Sequence, residues 1–494
     1  MIEGLLHQIE KQEDVRANLS AIRAAIREKE NFDRATELIG DGEQITALLS
    51  SEDPKVRKNA AALLGDLGIC KAAEALFLTY QKEDTLFVRG TLLTALEKTN
   101  PTPYLNELQN RYQELCQQEL QENEKKHVRE ELHALERILR SENGSVSHTF
   151  IGWKEKVTIL LTTNPNYREL TASKLQAYRK GYTSLGVKAV VDDLREVVKI
   201  RTFRELLFPI RLKEIVTVDD KPEKLGQALA EAELLPFIER CHKQPAPFFF
   251  RVEMRNGLSP EERSRYVKRM AAALEEKTER KLLNSANEYE FELRLFTDKE
   301  GKYHVFLKMN TIPMERFSYR KEAIASSMHP SSAAMLMELC RPYLKERAQI
   351  LDPCCGVGTM LVERNKILPA REIYGIDIFG EAVDKAKRNC EAAGMHVNFI
   401  HRDYLDFKHK YLFDEIIANM PVRGKRTREE QDAFYSEFFR KSEELLAPEG
   451  VLILYSNENG FVKKQLRLHQ KMKLYQEYVI RDRGQFVLYI IGVR

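Results

Sequence analysis

Asp352, Asp377 and Asp403 each stand at the end of a short apolar run, and the first is followed by Cys354, Cys355, Gly356, Val357, Gly358 and Thr359. A Gly-x-Gly segment leaving a strand lets the backbone approach a ligand closely, because neither position carries a Cβ. A carboxylate closing the next strand can accept both hydroxyls of a ribose, the task open to Asp377. Asp403 is placed to receive an adenine amine, with Tyr404 or Ile378 to cover the ring. Each acid alone would serve as a helix cap. Three at successive strand ends point instead to a nucleoside-containing cofactor. A dinucleotide is the rival ligand, but its fingerprint wants a third glycine where Leu361 stands, and it leaves Asp352 without a role.

Such residues need a sheet to hold them. From about 349 the chain alternates apolar strand runs with helical stretches, which predicts a mainly parallel, doubly wound sheet. Seven strands are predicted, at 349–353, 372–378, 398–402, 413–419, 451–456, 474–480 and 485–492. Only Arg481 to Gly484 separate the last two, too few residues for a crossover helix, so that pair must be an antiparallel hairpin.

Five parallel strands and a hairpin resemble the S-adenosylmethionine (SAM) methyltransferase fold. The resemblance implies SAM as cofactor, with the loop of Asp352, Gly356, Gly358 and Thr359 against its methionine part. Asp377, Ile378, Asp403 and Tyr404 would then serve the nucleoside. The fourth strand ends Ala418-Asn419-Met420-Pro421-Val422, similar to the Asn/Asp-x-Pro-aromatic motif of amino-methyltransferases. There an exocyclic amine attacks the methyl carbon in line with the leaving sulfur, its lone pair turned out of conjugation with the base. Asn419, beside the cofactor, and a neighbouring carbonyl would accept the two amine hydrogens, while Pro421 stiffens the loop. No strong base is required, because the amine becomes acidic as charge develops. Two departures stand out: Val422 replaces the stacking Phe or Tyr, and Arg423 is interposed before Gly424-Lys425-Arg426. The run Arg423, Lys425, Arg426 and Arg428 suits a phosphate backbone.

Upstream, Val157 to Thr162 predicts a strand, Asn164 to Asn166 a turn into a helix over 170–178, and Val187 to Val191 a second strand followed by a helix over 194–207. Phe248 to Met254 is a further strand. Ser259, Pro260 and Glu262 predict a capping box opening a helix. That helix carries Arg263, Arg265, Lys268 and Arg269, with Arg251 and Arg255 before it and Arg280 and Lys281 near its end. Clustered cations are the footprint of phosphate contacts, although the interspersed glutamates also fit a solvated face. Residues 289–296 alternate apolar inward with Glu and Arg outward, and 303–309 is another strand. This order, ending in Lys308-Met309-Asn310-Thr311, resembles a THUMP domain. Such domains precede methyltransferase modules in RNA-modifying enzymes and bind RNA, commonly the tRNA acceptor end. The resemblance implies RNA contacts from Arg265, Lys268, Arg269, Arg423, Lys425 and Arg426. Arg316 to Arg320 and Ala323 to Pro330 resemble the approach sequence of THUMP-linked guanine methyltransferases, in which the region around 326–330 closes over the cofactor.

Residues 1–142 are helical in pattern. A Val-Arg pair recurs at 15–16, 56–57 and 88–89, spacings that match one helix pair. The copy Asp53-Pro54-Lys55-Val56-Arg57 resembles a HEAT-type repeat, whose stacked pairs expose a long surface for partners. The charged stretch 105–140 reads as one helix with a solvated face, and Ser141 to Ser147 as a linker.

With 494 residues, 43% hydrophobic and 31% charged, the chain can build several cores and is not disordered. The charge balance is −7 over 1–150, +7 over 151–320 and +3 over the rest, so the basic middle is the part suited to a polyanion. Seven cysteines without CxxC or zinc spacing predict reduced thiols and no metal. No apolar run is long enough for a membrane span, and Glu3, His7 and Glu10 leave no secretory core at the start.

The expected protein is therefore multidomain and cytoplasmic. An α-helical HEAT-like module (1–142) precedes a ferredoxin-like lead-in with an α+β THUMP-like module (150–312) and an α/β, Rossmann-like, seven-stranded SAM methyltransferase domain (313–494). The expected activity is methylation of the exocyclic amine of guanine in tRNA, with rRNA next, and the helical front would hold a protein partner. The alternatives are amino-methylation of DNA or a protein glutamine, and an RNA-binding scaffold with a decayed methyltransferase, the last motivated by Val422.

Overall fold

The computed structural model describes residues 2–117, 124–142, 148–255, 257–480 and 485–493. They fall into two compact units, Met1–Ser147 and His148–Arg494. The predicted turn at 481–484 and residues 143–147 of the predicted linker lie outside the described residues.

The first unit is helical throughout: α1 (Ile2–Glu10), α2 (Val15–Ala25), α3 (Lys29–Ile39), α4 (Glu43–Ala47), α5 (Pro54–Asp66), α6 (Ala73–Lys82), α7 (Leu86–Lys98), α8 (Leu105–Gln117) and α9 (Lys125–Glu142). Helices α2, α5, α7 and α9 pack in succession, and α1, α6 and α8 lie against α2, α7 and α9. Leu19, Ile22, Leu64, Leu92 and Leu135 are fully buried in the shared core. Asp53 caps α5 by accepting from the Lys55 amide at 2.8 Å, with Pro54 in the first turn. The recurring Val-Arg pairs do similar work in two of their three copies. Val56 and Val88 are buried, while Arg57 donates to the Ser51 carbonyl and Arg89 to the Glu83 carbonyl, each at 2.8 Å and each six residues back. In the first copy Val15 is half-buried and Arg16 exposed.

Of the stretch expected as one helix over 105–140, the described residues form two helices, α8 and α9, packed on each other, and 118–123 lie outside them. Its charge is not all solvated either. Glu131 is fully buried and accepts from Tyr80 Oη at 2.7 Å and Arg111 Nε at 3.2 Å, so burial selects a partnered acid.

The second unit begins with β1 (Val157–Thr162), α10 (Arg168–Ala172), β2 (Arg179–Tyr182), β3 (Gly186–Val191), α11 (Leu194–Lys199) and β4 (Glu205–Ile210). It continues with α12 (Pro222–Ala230), α13 (Leu234–Cys241), β5 (Phe248–Arg255), α14 (Pro260–Lys277), β6 (Leu282–Asn284), β7 (Phe291–Thr297) and β8 (Tyr303–Met309). The eight strands form one sheet in the order β2-β3-β1-β4-β8-β7-β5-β6, the two halves joined by antiparallel β4 and β8. The expected helix over 194–207 stops at Lys199. Leu206, Leu207 and Phe208 are all buried, so the run after it is a core strand, β4. The helix expected over 170–178 shrinks to α10. Ser259 and Glu262 do form the capping box of α14. On β7 the charged side chains expected to face solvent are instead largely covered by one another. Arg294 bonds Glu205 at 2.5 Å and Glu292 at 2.7 Å, and Lys308 bonds Glu292 at 3.0 Å.

The remainder comprises α15 (Pro330–Cys340), β9 (Gln349–Asp352), α16 (Thr359–Ile367), β10 (Glu372–Asp377), α17 (Gly380–Ala392), β11 (Asn398–His401), β12 (Phe413–Asn419), α18 (Arg428–Leu445), β13 (Leu446–Ser456), α19 (Asn459–Leu468), β14 (Met472–Ile480) and β15 (Phe486–Val493). The sheet order is β11-β10-β9-β12-β13-β15-β14, with the first five strands parallel and β15 antiparallel to both neighbours. A wholly buried pair, Arg364 with Glu415 at 2.6 Å, ties α16 to β12. The two sheets are held together by Arg201 on Glu363, Lys174 on Glu338, and Asn166 Nδ2 donating to the Val479 carbonyl at 3.0 Å.

Candidate active site

All five parallel strands end on one edge of the C-terminal sheet, and the residues expected to do chemistry gather there. After Asp352 the chain turns through Gly356 (φ +53°) and Gly358 (φ +79°), both left-handed, before entering α16. A Cβ on Gly358 would stand 3.1 Å from Cys390 Sγ of α17, whereas one on Gly356 would project into open space. The loop is stapled by Asp377, whose oxygens accept from the amides of Gly356 at 2.8 Å and Phe379 at 2.9 Å. Asp377 therefore shapes the loop as well as lining its edge.

Asp352 is buried at 1% exposure. One oxygen accepts from the Cys354 amide at 3.0 Å, and the other has no partner. Burial pushes its carboxyl up to about 8, and the neighbouring Asp377 adds to the rise against the Cys354 amide. Burial, then Asp352, Asp377 and Asp403, raise the Cys354 thiol as well. Thr359 Oγ1, at the first turn of α16, is likewise buried and unpartnered. Two buried polar atoms without partners, beside open space over Gly356, fit a ligand with polar groups of its own.

Ile378 and Phe379 are exposed, and with Gly380 to Ala382 they face Ile324, Ala325 and Ser326 across a cavity of ≈ 530 Å³. Asp403 is exposed and uses one oxygen to cap the turn at 404–406, accepting from Leu405 N at 2.9 Å. Tyr404 corrects an expectation. It is buried, its hydroxyl bonds Ser442 Oγ at 3.0 Å and its ring packs on Phe438, so it supports the core and leaves Ile378 to cover a ring. Asn419 is half-buried at the end of β12, level with Tyr455, and its side-chain amide makes no hydrogen bond among the described residues. Met420 beside it is buried, its amide donating to the Tyr455 carbonyl at 2.9 Å. Pro421 is half-buried and Val422 exposed.

The cations divide into free and committed. Arg423 and Lys425 are exposed on a turn with Gly424 at φ +59°, while Arg426 leans onto α18, bonding Gln431 at 3.2 Å and covering Phe434. Arg265 and Lys268 are exposed on α14. Arg269, the third expected RNA contact on α14, is also exposed and is paired with Glu223 of α12 at 2.7 and 2.9 Å.

Two residues that sequence reasoning missed organise the site. Asn389, fully buried on α17, donates to the carbonyls of Glu322 and Val357 and accepts from the Glu322 amide, pinning the segment after Arg320 to the glycine loop. Glu363 joins α16 to Arg201 and Tyr319. An Asn or Glu inside a helix carries no pattern that would reveal either role. Among the described residues no group of side chains could hold a metal ion.

An open parallel sheet with a hairpin edge, a glycine loop after its first strand and an acid after its second defines the class of protein: a fold that binds a nucleoside-containing cofactor. Comparison with known proteins makes this specific. Residues 318–485 match a family described as RMKL-like, methyltransferase domain. The ribosomal protein L11 methyltransferase of Dictyoglomus turgidum is 32% identical over 99 residues, 20% of this chain and 32% of that protein. The chain thus spans about a third of that curated relative. TrmN from Thermus thermophilus shares the fold at TM-score 0.50 and 19% identity, covering 68% of this chain and 99% of its own. SMU.472, complexed with SAH, does so at TM-score 0.52 and 16% identity, covering 68% and 98%. The C-terminal part is a methyltransferase domain, and its cofactor is SAM.

Proposed function

We propose that the chain is a cytoplasmic, SAM-dependent RNA methyltransferase acting on the exocyclic amine of guanine, in tRNA first and rRNA next. The observation that carries this reading is the unpartnered Asn419 amide at the same sheet edge as the Asp377-stapled glycine loop. Asp352, Gly356, Gly358 and Thr359 would hold the methionine part of the cofactor, and Asp377, Ile378 and Asp403 its nucleoside. Bound SAM supplies an electrophilic methyl group. Asn419 orients the attacking amine by accepting its hydrogens, Pro421 limits the movement of the loop that does so, and Met420, buried, anchors it. Val422 offers no aromatic face, so the target base must stack elsewhere.

The domains proposed are 1–142, 150–312 and 313–494. Support for RNA over other amines comes from the exposed Arg265, Lys268, Arg423 and Lys425 on one compact unit, and from TrmN sharing its fold. Support for a THUMP-like module is the α+β order ahead of the methyltransferase domain, and for a HEAT-like front the stacked helix pairs with their Val-Arg pairs. Among the described residues no helix is long and apolar enough to cross a membrane. A second reading, methylation of a protein amine, is favoured by the match to a ribosomal protein L11 methyltransferase. Incubation with labelled SAM and either total cellular RNA or protein-only extract separates the two. Label in N2-methylguanosine supports the first, and label confined to protein replaces it by the second.

A further inference from the structure

Between the eight-stranded sheet and α16 lies a group of arginines with too few carboxylates. Arg201 closes on Glu363 through bonds of 2.9 and 2.7 Å, which accounts for one cation. Arg316 donates only to carbonyls, of Ile200 at 2.6 Å and Arg204 at 3.1 Å, and lies over Phe203 at 3.5 Å with its buried Nε unpartnered. Arg320 also has a buried Nε without a partner. Arg204 is exposed, and its side chain has no bond among the described residues. Arg316 also lies over Phe317 at 4.9 Å, and that ring stands edge-on to His329 at 6.2 Å; burial and then Arg204, Arg320 and Arg316 lower the basicity of this histidine at the start of α15. The neighbouring acids are engaged elsewhere, Glu205 with Arg294 and Glu322 with Arg388, while Glu315 is exposed. Half-buried guanidiniums without counter-charge are costly, and an anion relieves that cost.

A short length of chain joins the group to the cofactor side of the site. Past Arg320 the chain runs through Glu322, pinned on Asn389, to Ile324–Ser326 at the rim of the cavity beside Ile378 and Phe379. We infer that Arg204 and Arg320 receive a phosphodiester of the RNA substrate, with Arg316 holding the Arg204 carbonyl at 3.1 Å. The inference rests on the RNA reading above and adds to it a defined point of contact. The planar forks of arginine match phosphate oxygens in pairs, which single exposed lysines do not.

The test measures affinity of the full chain for bulk tRNA across a salt series, in wild type, Arg204→Gln and Arg320→Gln, with SAM affinity by calorimetry as the check on folding. Each substitution should lower the slope of log affinity against log salt, by at most about 0.7–0.9, the full loss of the one shared phosphate contact, with SAM affinity unchanged. If Arg320→Gln loses SAM binding, Arg204→Gln decides, because its side chain is exposed and its loss removes no protein bond. Unchanged slopes in a chain that binds tRNA overturn the phosphate contact and leave the RNA reading intact. Wild type that binds no RNA overturns the RNA reading and this contact with it. Inorganic phosphate that raises the melting temperature of wild type but not of Arg204→Gln, with the tRNA slope unaltered, assigns the cluster to free phosphate and overturns the assignment to RNA.

Discussion

In the proposed mechanism Asn419 is the residue on which the chemistry turns. Its amide is unengaged in the protein, so a substrate amine meets an acceptor that need not first break a bond. Loss of one preorganised contact of this kind lowers turnover by roughly a hundredfold to a thousandfold. Asn419→Ala should therefore show that loss in single-turnover methyl transfer while binding SAM within a few-fold. A normal rate would remove the amino-methyltransferase mechanism. Asp377 is a different case, because it staples the glycine loop through Gly356 and Phe379. Asp377→Ala frees both amides as well as any ribose contact, each charge-assisted bond being worth about 1.5–3 kcal/mol. SAM affinity should fall at least about tenfold by calorimetry, and unchanged affinity would contradict the assignment. Asp352 offers a pH signature. Burial raises its carboxyl in the folded chain to about 8 from the ordinary 3.8, so its contribution to stability is complete below pH 3.8 and is lost as pH rises toward 8. The melting temperature of wild type should accordingly fall relative to Asp352→Asn over that window, and parallel curves would show that Asp352 is already ionised.

At the scale of elements, close packing sets the sensitive points. Gly65 of α5 lies so near α7 that a Cβ there would stand 2.6 Å from the Ala95 backbone. Gly65→Ala forces the two helices apart and should cost about 1–3 kcal/mol, read by denaturant unfolding. An unaltered midpoint would mean that the stack has slack. The same scale shows what a sequence can disclose. The strands β9, β10 and β12 were legible because each is a short, largely buried apolar run closed by a polar residue at the site. The capping box of α14 was legible because its partners are three residues apart. Tyr404 was misjudged because its partners are remote, Ser442 and Phe438 on α18 drawing it inward, and the Glu223 partner of Arg269 on α12 was hidden for the same reason. The start of β4 was hidden by apolar residues continuing on from α11 without a turn signal, and only pairing with β1 and β8 decides that they extend.

At the scale of the whole molecule, charge and architecture divide along the same boundary. The first unit is acidic and built as stacked helices. The second carries the basic residues of α14 and of the 423–426 turn, the glycine loop and Asn419, and its two sheets are tied by the ion pairs Arg201–Glu363, its acid buried, and Lys174–Glu338. If RNA is bound by the second unit alone, its electrostatic component should survive removal of the first. A chain reduced to residues 148–494 should retain most tRNA affinity and the wild-type salt slope. Arg265→Gln with Lys268→Gln in the full chain should flatten that slope by about two contacts, roughly 1.4–1.8. Arg269→Gln alone should change it little, because Glu223 already holds that charge. Affinity that vanishes with residues 1–147, while SAM binding persists in the remainder, would move the RNA site onto the helical front. The acidic surface there would then have to present its few cations locally, and the exposed residues of α14 would become an ordinary solvated face.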